Sequence, residues 1–367
     1  MILVTGGTGF LGRHVVEQLL SGASGAEPSK KKRRVRVLAR RRDATLESLG
    51  AELVIGDVTD ASTLPAAFDG VKAVFHLAGR VERTQRAADQ LYQVHVDGTR
   101  NVLREAAKAK VERFIHLSTS GTCAVSDTPD PIRNEDSGYA IEAVRSFPYY
   151  LSKIYGEKIA LEAFDPGVRL GDQRVKLPVV VVQPSLLLGP GEGGLASGKD
   201  VVRFLKREIP AVPPGGVNFV DVRDAAQATI AALEKGRPGQ CYLVGGQNMS
   251  VEAFFVLLEK VSGVKAPTIA LSSRVQDFAA RAVAGFESLF ERQRESGDFA
   301  TALAMGGKFW YLDAAKARQE LNFAPRPAEV TLRDTVDWLR ASGPLPSQEG
   351  VLGRALRGVN QIIDARR

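Results

Sequence analysis

Tyr149 and Lys153 stand four residues apart in the run Tyr149-Tyr150-Leu151-Ser152-Lys153. On a helix that spacing puts both side chains on one face. A phenol titrates at about 10 and is a poor acid–base group at neutral pH. A cation within reach favours the phenolate, so the two together form a candidate acid/base unit. Pairs of this kind are usually plain surface contacts, and the decision rests on what lies near them in the fold. An apolar run, Phe114–Leu117, leads into Ser118-Thr119-Ser120. If that run is a strand of a parallel sheet, the hydroxyls sit at its C-terminal edge, where ligands bind. Tyr150 is only three residues from Lys153 and is the second choice.

A second group could hold a phosphate. Thr5-Gly6-Gly7-Thr8-Gly9-Phe10-Leu11-Gly12 follows the first apolar run and opens the first helical pattern. A helix N-terminus offers unpaired amide N–H groups and a partial positive charge, which suits a pyrophosphate. Gly6, Gly9 and Gly12 allow the tight turn, close backbone approach and helix–strand packing, so Gly6, Gly9, Phe10, Leu11 and Gly12 are the expected cofactor-binding positions. In a dinucleotide-binding sheet the end of the second strand meets the adenosine ribose, where an acid holds a free 2′-hydroxyl and Arg accommodates a 2′-phosphate. Here Val35–Ala39 runs into Arg40, Arg41 and Arg42, with no acid until Asp43. NADP(H) is therefore expected, chiefly through Arg40, with NAD(H) as the alternative.

The elements that must carry these groups are legible as a pattern. Ile2–Val4, Val35–Ala39, Leu53–Ile55, Val71–Leu77, Phe114–Leu117 and Val179–Val182 are short continuous apolar runs, with amphipathic stretches such as Leu11–Leu20 and Asp89–Lys108 between most of them. Strands buried on both faces read this way, and parallel strands need helical crossovers. The expectation is an α/β, Rossmann-type doubly wound parallel sheet over residues 1–183, with strands returning within 217–246. A smaller C-terminal substrate-binding domain is expected from 184–216 and 247–342. An apolar stripe over Val275–Phe290 reads as core or pocket wall. Residues 343–367 form a basic amphipathic tail, expected to pack on the protein, with weaker expectations of a homodimer contact or a membrane surface.

Composition excludes several classes. The 367 residues are 44% hydrophobic and 25% charged, which is globular and not disordered or fibrous. The net charge of +7 comes from residues 30–42, which hold nine Lys or Arg; without them the chain has 40 basic and 42 acidic residues. That run carries no aromatic, so a nucleic-acid partner is not expected. Two cysteines make no disulfide framework and, with no visible secretory signal, suggest the cytoplasm. His14, His76, His95 and His116 lack metal-ligand spacing, so no metal is expected. Gly193–Asp200 nearly matches a phosphate-binding P-loop, but Asp200 replaces the hydroxyl that magnesium needs.

Taken together, the motifs resemble those of the extended short-chain dehydrogenases/reductases, the broad group of NAD(P)-dependent epimerases and dehydratases, dihydroflavonol-type reductases and 3β-hydroxysteroid dehydrogenases. The matching pieces are TGGTGFLG (5–12), GDVTD (56–60), FHLAG (75–79), HVDGTRNVL (95–103), FIHLSTSGT (114–122), YYLSK (149–153), QPSLLLGPGE (183–192) and FVDVRDAA (219–226). The resemblance implies that Thr119 polarises the substrate oxygen and that Tyr149 is the acid/base. Lys153 would hold the nicotinamide ribose and depress the Tyr149 pKa. It also implies that Asp57 and Val58 contact adenine, Ala78 and Gly79 line the cofactor, and Pro184 and Ser185 pass beside the nicotinamide. His95 stands where an Asn is commoner. The function so implied is reduction of a ketone or oxidation of a secondary alcohol, on an apolar substrate. The alternative is a nucleotide-sugar epimerase or dehydratase, whose diphosphate could meet Arg203, Arg207 or Arg274. A cofactor-sensing binding protein is a third class, disfavoured by the intact Thr119, Tyr149 and Lys153.

Overall fold

Continuous apolar runs become the centre of a parallel sheet because nothing polar is left to face water. The computed structural model describes residues 1–22, 33–82, 84–191, 198–269 and 305–342. In chain order the strands that matter are β1 (Ile2–Thr5), β2 (Val35–Ala39), β3 (Glu52–Ile55), β4 (Ala73–His76), β5 (Arg113–Leu117), β6 (Val179–Pro184), β7 (Leu186–Leu188), β8 (Gly216–Asp221), β9 (Cys241–Val244) and β10 (Asn248–Ser250). Seven of them form one sheet in the order β9-β6-β5-β4-β1-β2-β3, parallel throughout. Every residue of β2, β4 and β6 is buried, whereas the edge strand β3 exposes both ends. The chain reverses direction across the sheet between β1 and β4, the place where such sheets bind dinucleotides.

Register turns this sheet into a platform. Thr5 lies beside His76, His76 beside His116, and Leu117 beside Val182. The residues just past these positions therefore emerge along one edge. Polar side chains lock that edge. Thr5 Oγ1 is 2.8 Å from His76 Nδ1, His76 Nε2 is 3.0 Å from Thr99 Oγ1, and Thr99 donates onward to the His95 carbonyl at 2.6 Å. Since Thr99 spends its proton on His95, His76 must donate from Nε2 and accept from Thr5 at Nδ1. Burial, and then the charge of Lys153, lower the His76 pKa to about 3, so the ring is neutral.

The helices that flank the site are α1 (Phe10–Ser21), α2 (Thr99–Lys108), α3 (Pro148–Glu162), α4 (Val222–Lys235), α5 (Val251–Ser262), α6 (Ala315–Leu321) and α7 (Ala328–Ala341). The stretch expected as one helix over Asp89–Lys108 contains a π-helical turn, Gln93–Gly98, which carries His95. Such turns recur at functional sites because they re-aim side chains. The helix of the YYLSK motif starts earlier than its pattern suggests. Pro148 occupies its first turn, where a missing N–H costs nothing, and this brings Tyr149 inside the helix.

The second half departs from its expected layout. The strand expected to return to the core at Asn218–Val220 is β8, and it joins a separate three-stranded sheet with β7 and β10. Only β9 returns to the parallel sheet. The core of the smaller lobe gathers Leu188, Phe204, Phe219, Phe254, Phe255, Leu258 and Val336. Residues 312–323, expected within that lobe, instead pack on the large core with Val4, Val15 and Val244, through Leu312, Ala317, Leu321 and Phe323. Salt links then bind the lobes' closing elements. Asp221 caps α4, Arg223 reaches both Asp221 and Asp334, and Arg326 grips Asp224. Among the described residues no helix is long and apolar enough to cross a membrane. The Val275–Phe290 stripe, the 343–367 tail, Arg274 and the glycines of the P-loop-like run at 193–197 lie outside the described residues.

One contact in this scaffold has a testable sign. A Cβ on Gly156, in the middle of α3, would fall 2.4 Å from the His95 carbonyl oxygen of the π-helical turn. In an open helix interior Gly→Ala stabilises by about 0.5–1 kcal/mol. Here the clash is with backbone that the His76–Thr99 network fixes, so overpacking should dominate. Gly156→Ala is expected to destabilise by about 1–3 kcal/mol in a denaturant titration, and a gain in stability would show that the turn yields.

Candidate active site

The glycine turn is a cradle that side chains would fill. Gly6 has φ of +72°, and a Cβ there would meet Ala78 N and Leu77 O at 2.6 Å, where β1 and β4 part. A Cβ on Gly12 would sit 2.1 Å from the Gly6 carbonyl. Gly9 caps α1 without a side-chain hydrogen bond, so the first-turn N–H groups face the cleft. Across the edge, Ser185 Oγ is buried without a hydrogen-bond partner and lines the same cleft, as does Pro184. Backbone donors at one end and an unmet hydroxyl at the other are what a dinucleotide would satisfy, and the residues fit that group.

The remaining cofactor-side residues divide. Gly6, Gly9, Phe10, Leu11, Gly12 and Gly79 line the cleft. Ala78 donates its N–H to Thr5 Oγ1 and is half-buried beside it. Asp57 accepts from the N–H and hydroxyl of Thr59, and Val58 is buried against Gly98. Arg40 is exposed at the end of β2 and does not line the cleft. Arg13 does, and Asp43 holds it at 2.5 Å while also capping the short helix at Ala44. Sequence spacing missed this pair because its members are thirty residues apart. The basic run is likewise shared out: Arg33 pairs with Glu234, Arg36 with Glu52, and Arg42 with Glu47.

Thr119, Tyr149 and Lys153 come together on the cleft wall. The Thr119 side chain lies close enough to the Tyr149 phenol to favour its ionised form. The Tyr149 ring is partly open to the cleft, yet burial pushes its phenol up to about 12, and Thr119 acts the other way. The expected depression by Lys153 is not what this geometry gives. The Lys153 ammonium is instead aimed at the Leu117 carbonyl, 2.6 Å away, at the end of β5. Burial lowers its pKa to about 8, and Glu157 opposes that shift. Tyr150 stacks near Trp310 at 4.9 Å and packs edge-on to Phe147, which makes it wall.

Glu157 is the residue that sequence reading missed. It lies one helical turn beyond Lys153 and is buried. Ser118 donates to its Oε2 at 2.5 Å, Gln183 Nε2 to both oxygens at 3.1 Å, and Thr122 Oγ1 is 3.1 Å from Oε2. Burial raises its pKa, while these donors and Lys153 favour the carboxylate. The only advance signal was its i+4 spacing from a lysine.

His95 is fully committed. Arg80 N–H donates to Nε2 at 3.0 Å, so Nδ1 carries the proton and donates to Ser152 Oγ at 2.8 Å. Ser152 in turn donates to the Tyr149 carbonyl. Burial and the Lys153 charge hold its pKa well below 6.5. His95 thus ties the loop after β4 to the first turn of α3. His116 is buried against His76 with both ring nitrogens unpartnered, and His14 bonds the Pro190 carbonyl. Among the described residues no three His, Cys, Asp or Glu form a metal-binding group.

Comparison with known proteins gives this geometry its context. The profile of the NAD dependent epimerase/dehydratase family matches residues 2–245. A protein of Synechocystis sp. provisionally named a dihydroflavonol 4-reductase is 30% identical over 352 residues, 94% of this chain and 96% of that one. Sterol demethylase protein B of Methylococcus capsulatus is 29% identical over 346 residues, covering 93% and 98%. The crystal structure of gox2253 superposes with a TM-score of 0.79 at 28% identity, over 94% of this chain and 99% of that one. The chain belongs to the NAD dependent epimerase/dehydratase family and is an NAD(P)-dependent enzyme of the oxidoreductase type.

Glu157→Gln tests the charge balance at the site. Removing the carboxylate disfavours the Lys153 ammonium, so Lys153 should lose its proton below its present value of about 8. The alkaline limb of NADPH binding, followed by cofactor fluorescence, is expected to move to lower pH. The new amide also faces donors, costing about 1–3 kcal/mol of stability. A limb that stays in place would show that Glu157 does not act through Lys153.

Proposed function

We propose that this chain is an NADP-dependent oxidoreductase that interconverts a ketone and a secondary alcohol, with Tyr149 as acid/base. The observation that carries the reading is that Thr119, Tyr149 and Lys153 together line the cleft into which the glycine turn opens. Two hydroxyls at one point can both address a single substrate oxygen.

When bound, the nicotinamide supplies or takes up the hydride at the substrate carbon. Tyr149 gives its proton to the carbonyl oxygen, and Thr119 donates a hydrogen bond to the same oxygen, so the developing charge meets two donors. A phenol held at about 12 is protonated at neutral pH, which suits the reducing direction. Lys153, fixed by Leu117 O and charged below about 8, would hold the nicotinamide ribose. His95 relays no proton, because both ring nitrogens are engaged; it orients α3 through Ser152. Pro184 and Ser185, which line the same cleft, would pass beside the nicotinamide.

The NADP preference rests on charge at the ribose end. Arg40 is solvated at the end of β2, where a 2′-phosphate can recruit it, and Arg13 lies nearby in the cleft with part of its charge answered by Asp43. The reductase label of the Synechocystis relative supports the redox reading; the family name leaves epimerisation as the competing one.

Two outcomes test the proposal. Tyr149→Phe keeps the ring and removes the proton donor, so turnover should fall ~10²-fold or more with cofactor affinity little changed, while Tyr150→Phe should be mild. Conversion of a nucleotide sugar with no net NADPH consumption would replace the proposal with epimerisation. NADPH should bind more tightly than NADH, and Arg40→Asp should narrow or reverse the gap through loss of a contact worth about 1.5–3 kcal/mol. Equal dissociation constants in the unmodified protein would remove the NADP assignment.

A further inference from the structure

Building on the NADP reading above, we infer that Asp43 is a specificity-determining residue: its carboxylate stands in for a 2′-phosphate on Arg13 and so narrows the margin by which NADPH is preferred over NADH. Arg13 sits in the first turn of α1, directly after Gly12, and lines the cleft. Asp43 lies four residues past the end of β2. The pair therefore spans from the glycine turn to the strand end where the adenosine ribose is met. Its two sides are unequal. The Arg13 side chain is 34% exposed, whereas that of Asp43 is 14% exposed and is not part of the cleft wall. A ligand at this end thus reaches the cation before the anion.

The surroundings of Asp43 keep it charged. Its Oδ2 accepts from Arg13 Nη2 at 2.5 Å, and its Oδ1 accepts from Arg13 Nη1 at 3.4 Å and from the Leu46 N–H at 3.1 Å. Burial works to raise the carboxyl, but the Leu46 N–H and the Arg13 guanidinium outweigh it and hold the group below its ordinary value. A guanidinium carries five N–H donors in a fork, so holding one carboxylate leaves donors for a second anion. Arg36, on the same sheet, is used differently: it is spent on Glu52 and on the Ala67 and Asp69 carbonyls. A 2′-phosphate reaching Arg13 would share that cation with Asp43 and be repelled by the carboxylate behind it, so part of its gain is lost. A free 2′-hydroxyl leaves Arg13 still paired, so NADH would bind without stranding an unanswered cation in the cleft.

The test measures dissociation constants by cofactor fluorescence for NADPH and NADH, and by calorimetry for 2′,5′-ADP and 5′-AMP, which isolate the phosphate. Asp43→Asn removes the charge and keeps an acceptor for the Leu46 N–H. It is expected to raise the ratio of the NADH to the NADPH constant ~3-fold or more, with a matching shift between 5′-AMP and 2′,5′-ADP. Arg13→Gln should weaken NADPH and 2′,5′-ADP ~10-fold or more and leave NADH within about twofold. A ratio that stays or falls in Asp43→Asn overturns the inference, because the carboxylate would then position Arg13 and not compete for it. Equal losses of both cofactors in Arg13→Gln overturn it too, since Arg13 would then serve the pyrophosphate they share. If Asp43→Asn does not fold, Asp43→Ser, which also offers a capping oxygen, takes its place. Equal constants in the unmodified protein remove the NADP reading alone; a ratio that opens in Asp43→Asn still supports the role of Asp43.

Discussion

A buried ammonium sets the terms for the rest of the site. Lys153 is held away from water at the end of β5, where it donates to the Leu117 carbonyl. Burying an isolated charge is expensive unless other groups answer it. Here the answer is distributed. Glu157 supplies the compensating negative charge from the next turn of α3, and that carboxylate is in turn caged by Ser118, Thr122 and Gln183. The same charge works outward on the imidazoles. His76, His95 and His116 are all driven neutral, first by burial and then by Lys153. Each neutral ring keeps one donor and one acceptor nitrogen, and the Thr99 hydroxyl and the Arg80 N–H settle which is which at His76 and His95. Burial, with this one cation in second place, thus keeps the imidazoles of the sheet edge neutral.

The large features of this arrangement were legible in the sequence because they are local. Unbroken apolar runs meant strands covered on both faces, and they became the parallel sheet. Gly6 and Gly12 meant close backbone approach, and their missing Cβ atoms are where Ala78 and the Gly6 carbonyl come nearest. Tyr149 and Lys153 share a helix face with Thr119 opposite, as their spacing and the hydroxyl-rich strand end suggested. What escaped is long-range. Glu157 looks like an ordinary charged position on a helix until the sheet closes over it. The Arg13–Asp43 pair and the rerouting of β8 into a second sheet depend on packing between segments far apart in the chain. Even the Tyr149 pKa went the other way: a lysine four residues on promised depression, but burial raises the phenol, and the lowering influence on it is Thr119.

The two lobes differ in how they are held. The cofactor side is fastened by backbone register and a chain of hydroxyl–imidazole bonds that leaves little slack. The smaller lobe is built on aromatic packing around Phe204, Phe219, Phe254 and Phe255, with charged links from Arg223 and Arg326 at its seam. Polar bonding therefore concentrates around β1, β4 and α3, and aromatic packing concentrates in the smaller lobe.

The contact between Gly156 and the His95 carbonyl also acts as a ruler. A slip of α3 by one residue would rotate its side chains by about 100°, bringing Tyr150 and Ile154 to the positions now held by Tyr149 and Lys153. Gly156 admits a backbone carbonyl where any other residue would project a carbon, so it marks one helical setting and no other. The eight residues from Tyr149 to Gly156 behave as a fixed length: an insertion or deletion within them would keep the helix and lose its alignment with the sheet.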